Sequence, residues 1–338
     1  MPARAALFGC AGLRLSDAEH AFFSDVEPWG FILFGRNIEG PAQVKTLTDE
    51  LRGLTGRDIP ILIDQEGGRV ARLKPPLWRV YPAARRYGEL YAKSKSDGLE
   101  AVRLASRLIA VELQALGINA DCLPVLDVPV EGAHDVIGDR AYGTSPEPVI
   151  ALGRAAAEGL MEGGVLPIIK HMPGHGRAGV DSHLHLPVVS TDVTTLTATD
   201  FAPFQALADM PMAMTAHVVY AGIDSDAPAT TSRKVIADIV RGIIGFDGLL
   251  MSDDLSMQAL KGTLGERTRA SLKAGCDVVL HCNGKMEEME AVAAETPVLA
   301  GDALRRAGDA LDRLALPQDF DERAALARFQ TLMHPFIC

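Results

Sequence analysis

The stretch Val165-Leu166-Pro167-Ile168-Ile169-Lys170-His171-Met172-Pro173-Gly174-His175-Gly176 changes character within a few positions. Its apolar half, Val165–Ile169, reads as a buried strand. Its second half opens a Gly-rich segment, Lys170 to His185, that holds four of the nine histidines, two basic side chains and Asp181. A packed core has no use for so many proton-transfer groups at a strand end, so this strand should border a reactive cleft.

Working outward, apolar runs and helical patterns alternate along all 338 residues. The runs predict strands at Ala5–Cys10, Gly30–Phe34, Ile61–Asp64, Ala120–Leu126, Pro167–His171, Ala213–Val218, Gly248–Ser252 and Asp277–His281. Segments of helical period lie between them at Pro41–Leu54, Leu99–Leu116, Glu147–Glu162, Thr197–Ala208, Ser232–Ile243 and Thr263–Ala274. Ala303–Leu332 adds two helices, expected to cover the outside. Eight strands separated by helices fit a closed parallel barrel better than an open sheet. An open doubly wound sheet would normally carry a Gly-rich dinucleotide loop after its first strand, and Gly9-Cys10-Ala11-Gly12 does not supply one. The expected fold is therefore α/β, a single-domain (β/α)8 barrel of the TIM type spanning residues 1–338.

The formal net charge is −11 and no Lys/Arg block occurs, which argues against nucleic acid or an anionic membrane as partner. The five cysteines follow no CxxC spacing, so neither a disulfide framework nor structural zinc is expected, and a reducing compartment is. Ala5–Cys10 imitates a lipoprotein-type export signal, but its apolar core is too short behind the single Arg4, and a first strand fits better. No stretch is long enough for a membrane span. A cytoplasmic monomer is the expectation.

Barrels of this kind build their sites at the carboxyl ends of the strands, and polar residues follow the apolar runs here. The third strand leads into Asp64-Gln65-Glu66-Gly67-Gly68-Arg69 and Arg72. The fourth leads into Asp127, with Asp139 and Arg140 further along, the fifth into Lys170-His171 and the seventh into Ser252-Asp253-Asp254. Acidic groups at opposite walls of such a mouth suit glycoside hydrolysis, in which one group attacks the anomeric carbon and another protonates the departing oxygen. Asp253, at the end of a rigid strand, is the candidate nucleophile. Asp254 fits an N-cap for a helix over Leu255–Leu260. No carboxylic acid in the fifth-strand loop has a protonatable setting, but Asp181 and His183 sit two apart, and a carboxylate beside an imidazole fixes its tautomer and favours its charged form. His183 is then the candidate acid and base, and His185 an ordinary loop histidine. Lys170, His171, Arg72 and Arg140 would donate to sugar hydroxyls and Asp64 would accept from them.

Four motifs, Ile63-Asp64-Gln65-Glu66-Gly67-Gly68-Arg69-Val70, Lys170-His171-Met172-Pro173-Gly174-His175-Gly176, Asp181-Ser182-His183 and Ser252-Asp253-Asp254-Leu255-Ser256-Met257, together resemble family 3 glycoside hydrolases. Within that family they resemble the bacterial cytoplasmic β-N-acetylglucosaminidases of peptidoglycan recycling. The resemblance runs from about Gly30 to about Asn283. It implies retaining hydrolysis of β-linked N-acetylglucosamine from 1,6-anhydro-N-acetylmuramic acid, with or without its peptide. It also implies Asp253 as covalent nucleophile, an Asp181–His183 dyad as acid and base on a mobile loop, and Asp64, Arg72, Arg140, Lys170 and His171 as sugar-holding residues; glycine hinges flanking the dyad set the expected moving segment at Gly174–Leu184. Met172 replaces a more usual phenylalanine, and Asp121-Cys122-Leu123 departs from the commoner Asn-Phe-Ala, a change expected to touch only local packing.

Three other readings compete. His171, His175, Asp181, His183 and His185 could serve a metal-dependent hydrolase, although Pro173 and Gly174 deny helical spacing to the first pair and His217 and His281 stand isolated. A non-catalytic sugar-binding barrel would need neither Asp253 nor the dyad. With an imidazole base, phosphate could replace water and make the enzyme a phosphorylase. The expectation is no metal, no cofactor, and a small sugar fragment as the sole partner.

Overall fold

The structure is a computed structural model and describes residues 3–337. Eight parallel strands close into a barrel in strict chain order: β1 Arg4–Gly9, β2 Pro28–Leu33, β3 Ile61–Ile63, β4 Ala120–Asp121, β5 Leu166–Met172, β6 Met212–Thr215, β7 Leu249–Asp254 and β8 Val278–His281. Closure is made by β1 on β8, with Ala6 opposite Val279 and Leu7 opposite Leu280. The α/β barrel expected from the alternation is the fold observed.

Strand side chains alternate between two apolar cores. Leu7, Ile32, Leu62, Leu166, Ile168, Leu249, Met251 and Leu280 point into the barrel. Ala6, Phe8, Phe31, Leu33, Ile61, Ile63, Ile169, Leu250 and Val279 face the surrounding helices. Continuing the inward set by one more step reaches Phe34, Asp64, Lys170, Asp253 and Cys282. The same period that fills the barrel with aliphatic side chains therefore delivers the polar ones to its upper rim.

Some predicted elements differ in detail. The fourth strand stops at Asp121 because Pro124 has no N–H to donate to a ladder. The chain still runs beside β5 in shifted register, with Ile168 N donating to Leu123 O at 3.0 Å and Leu126 N to Lys170 O at 2.7 Å. The helix expected over Thr197–Ala208 is two short ones, Val193–Ala198 and Ala202–Ala206, broken where Asp200 turns toward Arg177. The segment Val235–Ile243 is π-helical. Of the two last helices, Glu322–Ile337 packs outside, with Phe329 and Leu332 in the outer core and Arg328 paired to Glu100 at 2.7 Å. Gly301–Asp312 instead plugs the barrel floor, since its Ala307 and Ala310 join Trp29 and Leu299 in the inner core.

Among the described residues no helix is long and apolar enough to cross a membrane. Cys10, Cys122, Cys276 and Cys282 are free thiols and buried; Cys338 lies outside the described residues.

Candidate active site

A cavity of about 440 Å³ opens at the carboxyl ends of the strands. Seven of the eight expected site residues line it: Asp64, Arg72, Arg140, Lys170, His171, His183 and Asp253. The eighth, Asp181, stands behind His183 and accepts at 2.7 Å from its ring Nδ1.

On one wall the charges form a buried lattice. Lys170 Nζ lies 2.8 Å from Asp64 Oδ1 and 2.6 Å from Glu66 Oε1. Arg72 donates to Asp64 Oδ2 at 2.9 Å, and Arg140 grips Glu66 through two parallel bonds of 2.8 Å. Burial alone would raise the pKa of Asp64, but Lys170 and Arg72 hold it well below the ordinary carboxylate range. Burial likewise opposes the charge on Lys170, and Asp64 and Glu66 more than offset that. Glu66 is a site residue that the sequence alone does not single out: its motif gives no sign that it pairs with both Arg140 and Lys170. Three of Arg140's bonds are already spent, two on Glu66 and one of 3.1 Å on Val136 O. Removing the ammonium leaves two buried carboxylates undercompensated. Lys170→Met should cost about 3 kcal/mol of stability, read from denaturant melts, and a loss confined to activity would show that the arginines suffice.

Beneath this lattice sits Asp121, whose departure from the family pattern touches more than packing. Its Oδ1 accepts from Gln65 N at 2.9 Å, while Oδ2 is buried without a partner. Burial, with no cation in contact, lifts its pKa to about 8. An unfolded aspartate titrates near about 3.9, so the folded chain binds the extra proton between those values. Stability therefore falls as pH rises from about 4 to about 8 and levels off above. Asp121→Asn removes this loss. Its melting midpoint should exceed wild type by about 5 °C at pH 8 and differ little at pH 4, and a pH-independent offset would refute the protonated carboxyl.

Asp253 projects from the end of β7. Its Oδ1 accepts the Asp254 amide at 2.8 Å, and its own amide donates to Thr215 Oγ1 at 3.3 Å. Burial raises its pKa, but His217 once charged in acid, His171, the Asp254 amide and His183 together bring it below the ordinary value, so it stands as a carboxylate. Asp254 does not cap a helix, because none forms over Leu255–Leu260. It braces the loop instead, accepting from Ser256 N at 3.1 Å, Ser256 Oγ at 2.5 Å and Cys282 N at 3.2 Å.

The histidine segment divides in two. From Gly174 to Ala178 it is pinned: Tyr220 donates its hydroxyl to Gly174 O, His175 N donates to Asp127 Oδ1 at 2.6 Å, and Arg177 pairs with Asp200 at 2.7 Å. Gly176 packs so closely on Val128 that a Cβ there would fall 2.1 Å from its carbonyl oxygen. Beyond it, Gly179, Val180 and His183–His185 are exposed, while Ser182 is buried and its Oγ lies 2.9 Å from His175 Nε2. The anchored half lies inside the loop expected to move, so any hinge begins at Gly179 rather than Gly174. His171 Nδ1 is held 2.6 Å from Asp127 Oδ2, which leaves its other nitrogen to the cavity.

His171, His175 and His183 thus have carboxylate or hydroxyl partners, and among the described residues no three His, Cys, Asp or Glu side chains are grouped to hold a metal ion. The cavity carries two carboxylates without a cationic contact, Asp253 and Asp254, one exposed imidazole oriented by its own carboxylate, and a charged cradle. Residues 9–309 match the model of the glycosyl hydrolase family 3 N terminal domain. The chain is 36% identical to the beta-hexosaminidase of Bordetella avium (strain 197N), over 98% of this chain and 94% of that protein. It is 39% identical to the beta-hexosaminidase of Chromobacterium violaceum, over 93% and 87%. Native NagZ from Neisseria gonorrhoeae superposes with a TM-score of 0.88 at 35% identity, covering 98% of each chain, as does the same protein in complex with N-trifluoroacetyl-D-glucosamine.

Proposed function

The chain belongs to glycosyl hydrolase family 3 and is a β-N-acetylhexosaminidase, and from that premise we propose a retaining, two-step route in which Asp253 and the Asp181–His183 pair carry the chemistry. Asp253 attacks C1 of a terminal β-linked N-acetylglucosamine while His183, protonated, gives its proton to the departing oxygen. A covalent glycosyl ester on Asp253 results. Neutral His183 then takes a proton from water, which attacks the ester and regenerates the carboxylate. Asp64, Lys170, His171, Arg72 and Arg140 hold the sugar.

One observation carries this reading. The carboxylates lining the cavity are Asp64, Asp253 and Asp254. Asp64 is bound by two cations and Asp254 by three donors, so neither can donate a proton. Of the imidazoles lining the cavity, His171 and His175 are buried in the wall, whereas His183 stands exposed on the loop with Asp181 to orient it, and we take it as the acid.

The aglycone we propose is 1,6-anhydro-N-acetylmuramic acid, with or without its peptide, cleaved in the cytoplasm by a monomer. The buried free cysteines agree with a reducing compartment. The test is a time course on N-acetylglucosaminyl-anhydro-N-acetylmuramic acid followed by proton NMR. The expected first product is the β-anomer of N-acetylglucosamine. The α-anomer appearing first would end the covalent route, cleavage of aryl aminosugars alone would end the proposed substrate, and a sugar 1-phosphate at high phosphate would replace water as acceptor.

A further inference from the structure

The strand end carrying Asp253 is tied into a closed ring of hydrogen bonds that the two-step route does not use. Asp253 N donates to Thr215 Oγ1 at 3.3 Å, Thr215 Oγ1 lies 2.8 Å from Thr230 Oγ1, Thr230 Oγ1 lies 2.7 Å from His217 Nδ1, and His217 Nε2 lies 3.0 Å from Asp254 O. Thr215, His217 and Thr230 are fully buried, so solvent does not compete for these bonds.

The ring has one direction. A carbonyl oxygen can only accept, so His217 Nε2 carries a hydrogen. Burial disfavours the charged ring and holds His217 neutral, which makes Nδ1 an acceptor. Thr230 must then donate to it, since the alternative acceptor, Ala216 O, is farther at 3.1 Å and would leave a buried nitrogen unpaired. Thr230 accepts from Thr215, and Thr215 accepts from the Asp253 amide. The Thr215 hydroxyl hydrogen is consequently committed to Thr230. Among the described residues that carboxylate accepts one hydrogen bond, from Asp254 N to Oδ1, and Oδ2 accepts none.

We propose that His217 and Thr230 are positioning residues for the nucleophile: their one-way ring fixes the Asp253–Asp254 peptide and commits the Thr215 hydroxyl hydrogen to Thr230, which leaves Asp253 Oδ2 without a donor and free to attack. A donor aimed at Oδ2 would stabilise the carboxylate before reaction and weaken as its charge passes into the new bond, which raises the barrier. The inference rests on the reading of Asp253 as nucleophile.

The test uses the full chain and an activated, ring-fluorinated N-acetylglucosaminyl fluoride, which forms a long-lived ester. Labelling rate at saturation, the labelled peptide and the affinity for N-acetylglucosamine are measured together. Thr230→Val, close in shape, should slow labelling about tenfold or more while N-acetylglucosamine affinity stays within about twofold. Thr230→Ser should restore the rate. His217→Gln, which keeps a donor for Asp254 O but loses the link to Thr230, should behave like Thr230→Val. Wild-type rates in Thr230→Val or His217→Gln, a loss matched by weakened affinity, or no recovery in Thr230→Ser would overturn the inference. A label found elsewhere than Asp253 in the wild-type chain would instead overturn the underlying reading.

Discussion

Asp253→Ala should lower kcat/KM by roughly four orders of magnitude or more on every substrate, aryl or disaccharide, because on the proposed route the step it removes is the formation of the glycosyl ester itself. Asp253→Asn should do nearly the same despite its equal size, since an amide is no nucleophile and its NH2 would point a donor at the anomeric carbon. The fold should survive both. Asp253 contributes no apolar area to the inner core, and its one accepted hydrogen bond comes from its own neighbour, Asp254. The alanine variant leaves room on the face opposite the leaving group, so azide should enter and yield the α-configured glycosyl azide, an inverted product that wild type does not make. The pH dependence follows from the same surroundings. Burial works to protonate Asp253, yet the charge that His217 takes up in acid, together with His171, the Asp254 amide and His183, holds its pKa below the usual value. The nucleophile is therefore ionised throughout the neutral range, and the acid limb of kcat/KM should not begin until below about pH 4 on its account. Residual activity of a few per cent in Asp253→Asn, once deamidation is excluded by mass, would remove Asp253 from the central role.

The barrel was legible because its strands are short, apolar and regularly spaced, and because each inward alternation ends on a residue too polar for a core. Asp64, Lys170 and Asp253 announce themselves that way. What the sequence hid is long-range pairing. Glu66 sits in the same motif as Asp64, but nothing local distinguishes a carboxylate facing a sugar from one buried against Arg140, 74 residues away. Asp254 looked like a cap because its neighbours could start a helix, whereas its real partners include the Cys282 amide from the next strand. Asp121 looked like a packing change because its charge state depends on burial that only the closed barrel creates. The helix Asp17–Val26 was missed although Ser16 and Glu19 form a capping box that the sequence displays openly. In that case the signal was present and unread. The floor-plugging role of Gly301–Asp312 had no such signal, since small residues such as Ala307 and Ala310 do not say which surface they will meet.

Replacing the imidazole should separate the two chemical steps. On the proposed route His183→Ala removes the proton donor for the first step and the proton acceptor for the second, each ordinarily contributing about 10²- to 10⁴-fold. A sugar aglycone leaves as a poor, strongly basic anion and needs the proton, so ester formation should become limiting and cleavage of the disaccharide should nearly stop. A dinitrophenyl aglycone leaves unaided, so ester formation should stay fast and only its hydrolysis should slow. The expected signature is a burst of dinitrophenol matching the enzyme concentration, then slow turnover that azide accelerates because it needs no base. Asp181→Asn should give a milder version of the same pattern. The Asp181 carboxylate accepts from both the His183 amide, at 2.9 Å, and its ring Nδ1, at 2.7 Å. That double grip keeps Nδ1 protonated and leaves the other ring nitrogen to exchange the proton with the substrate. Because His183 lies on an exposed turn while His175 and Ser182 beside it are buried, its loss should leave the melting midpoint almost unmoved. Equal losses on both aglycones, with no burst, would mean that the proton comes from elsewhere and that the imidazole serves only to close the loop.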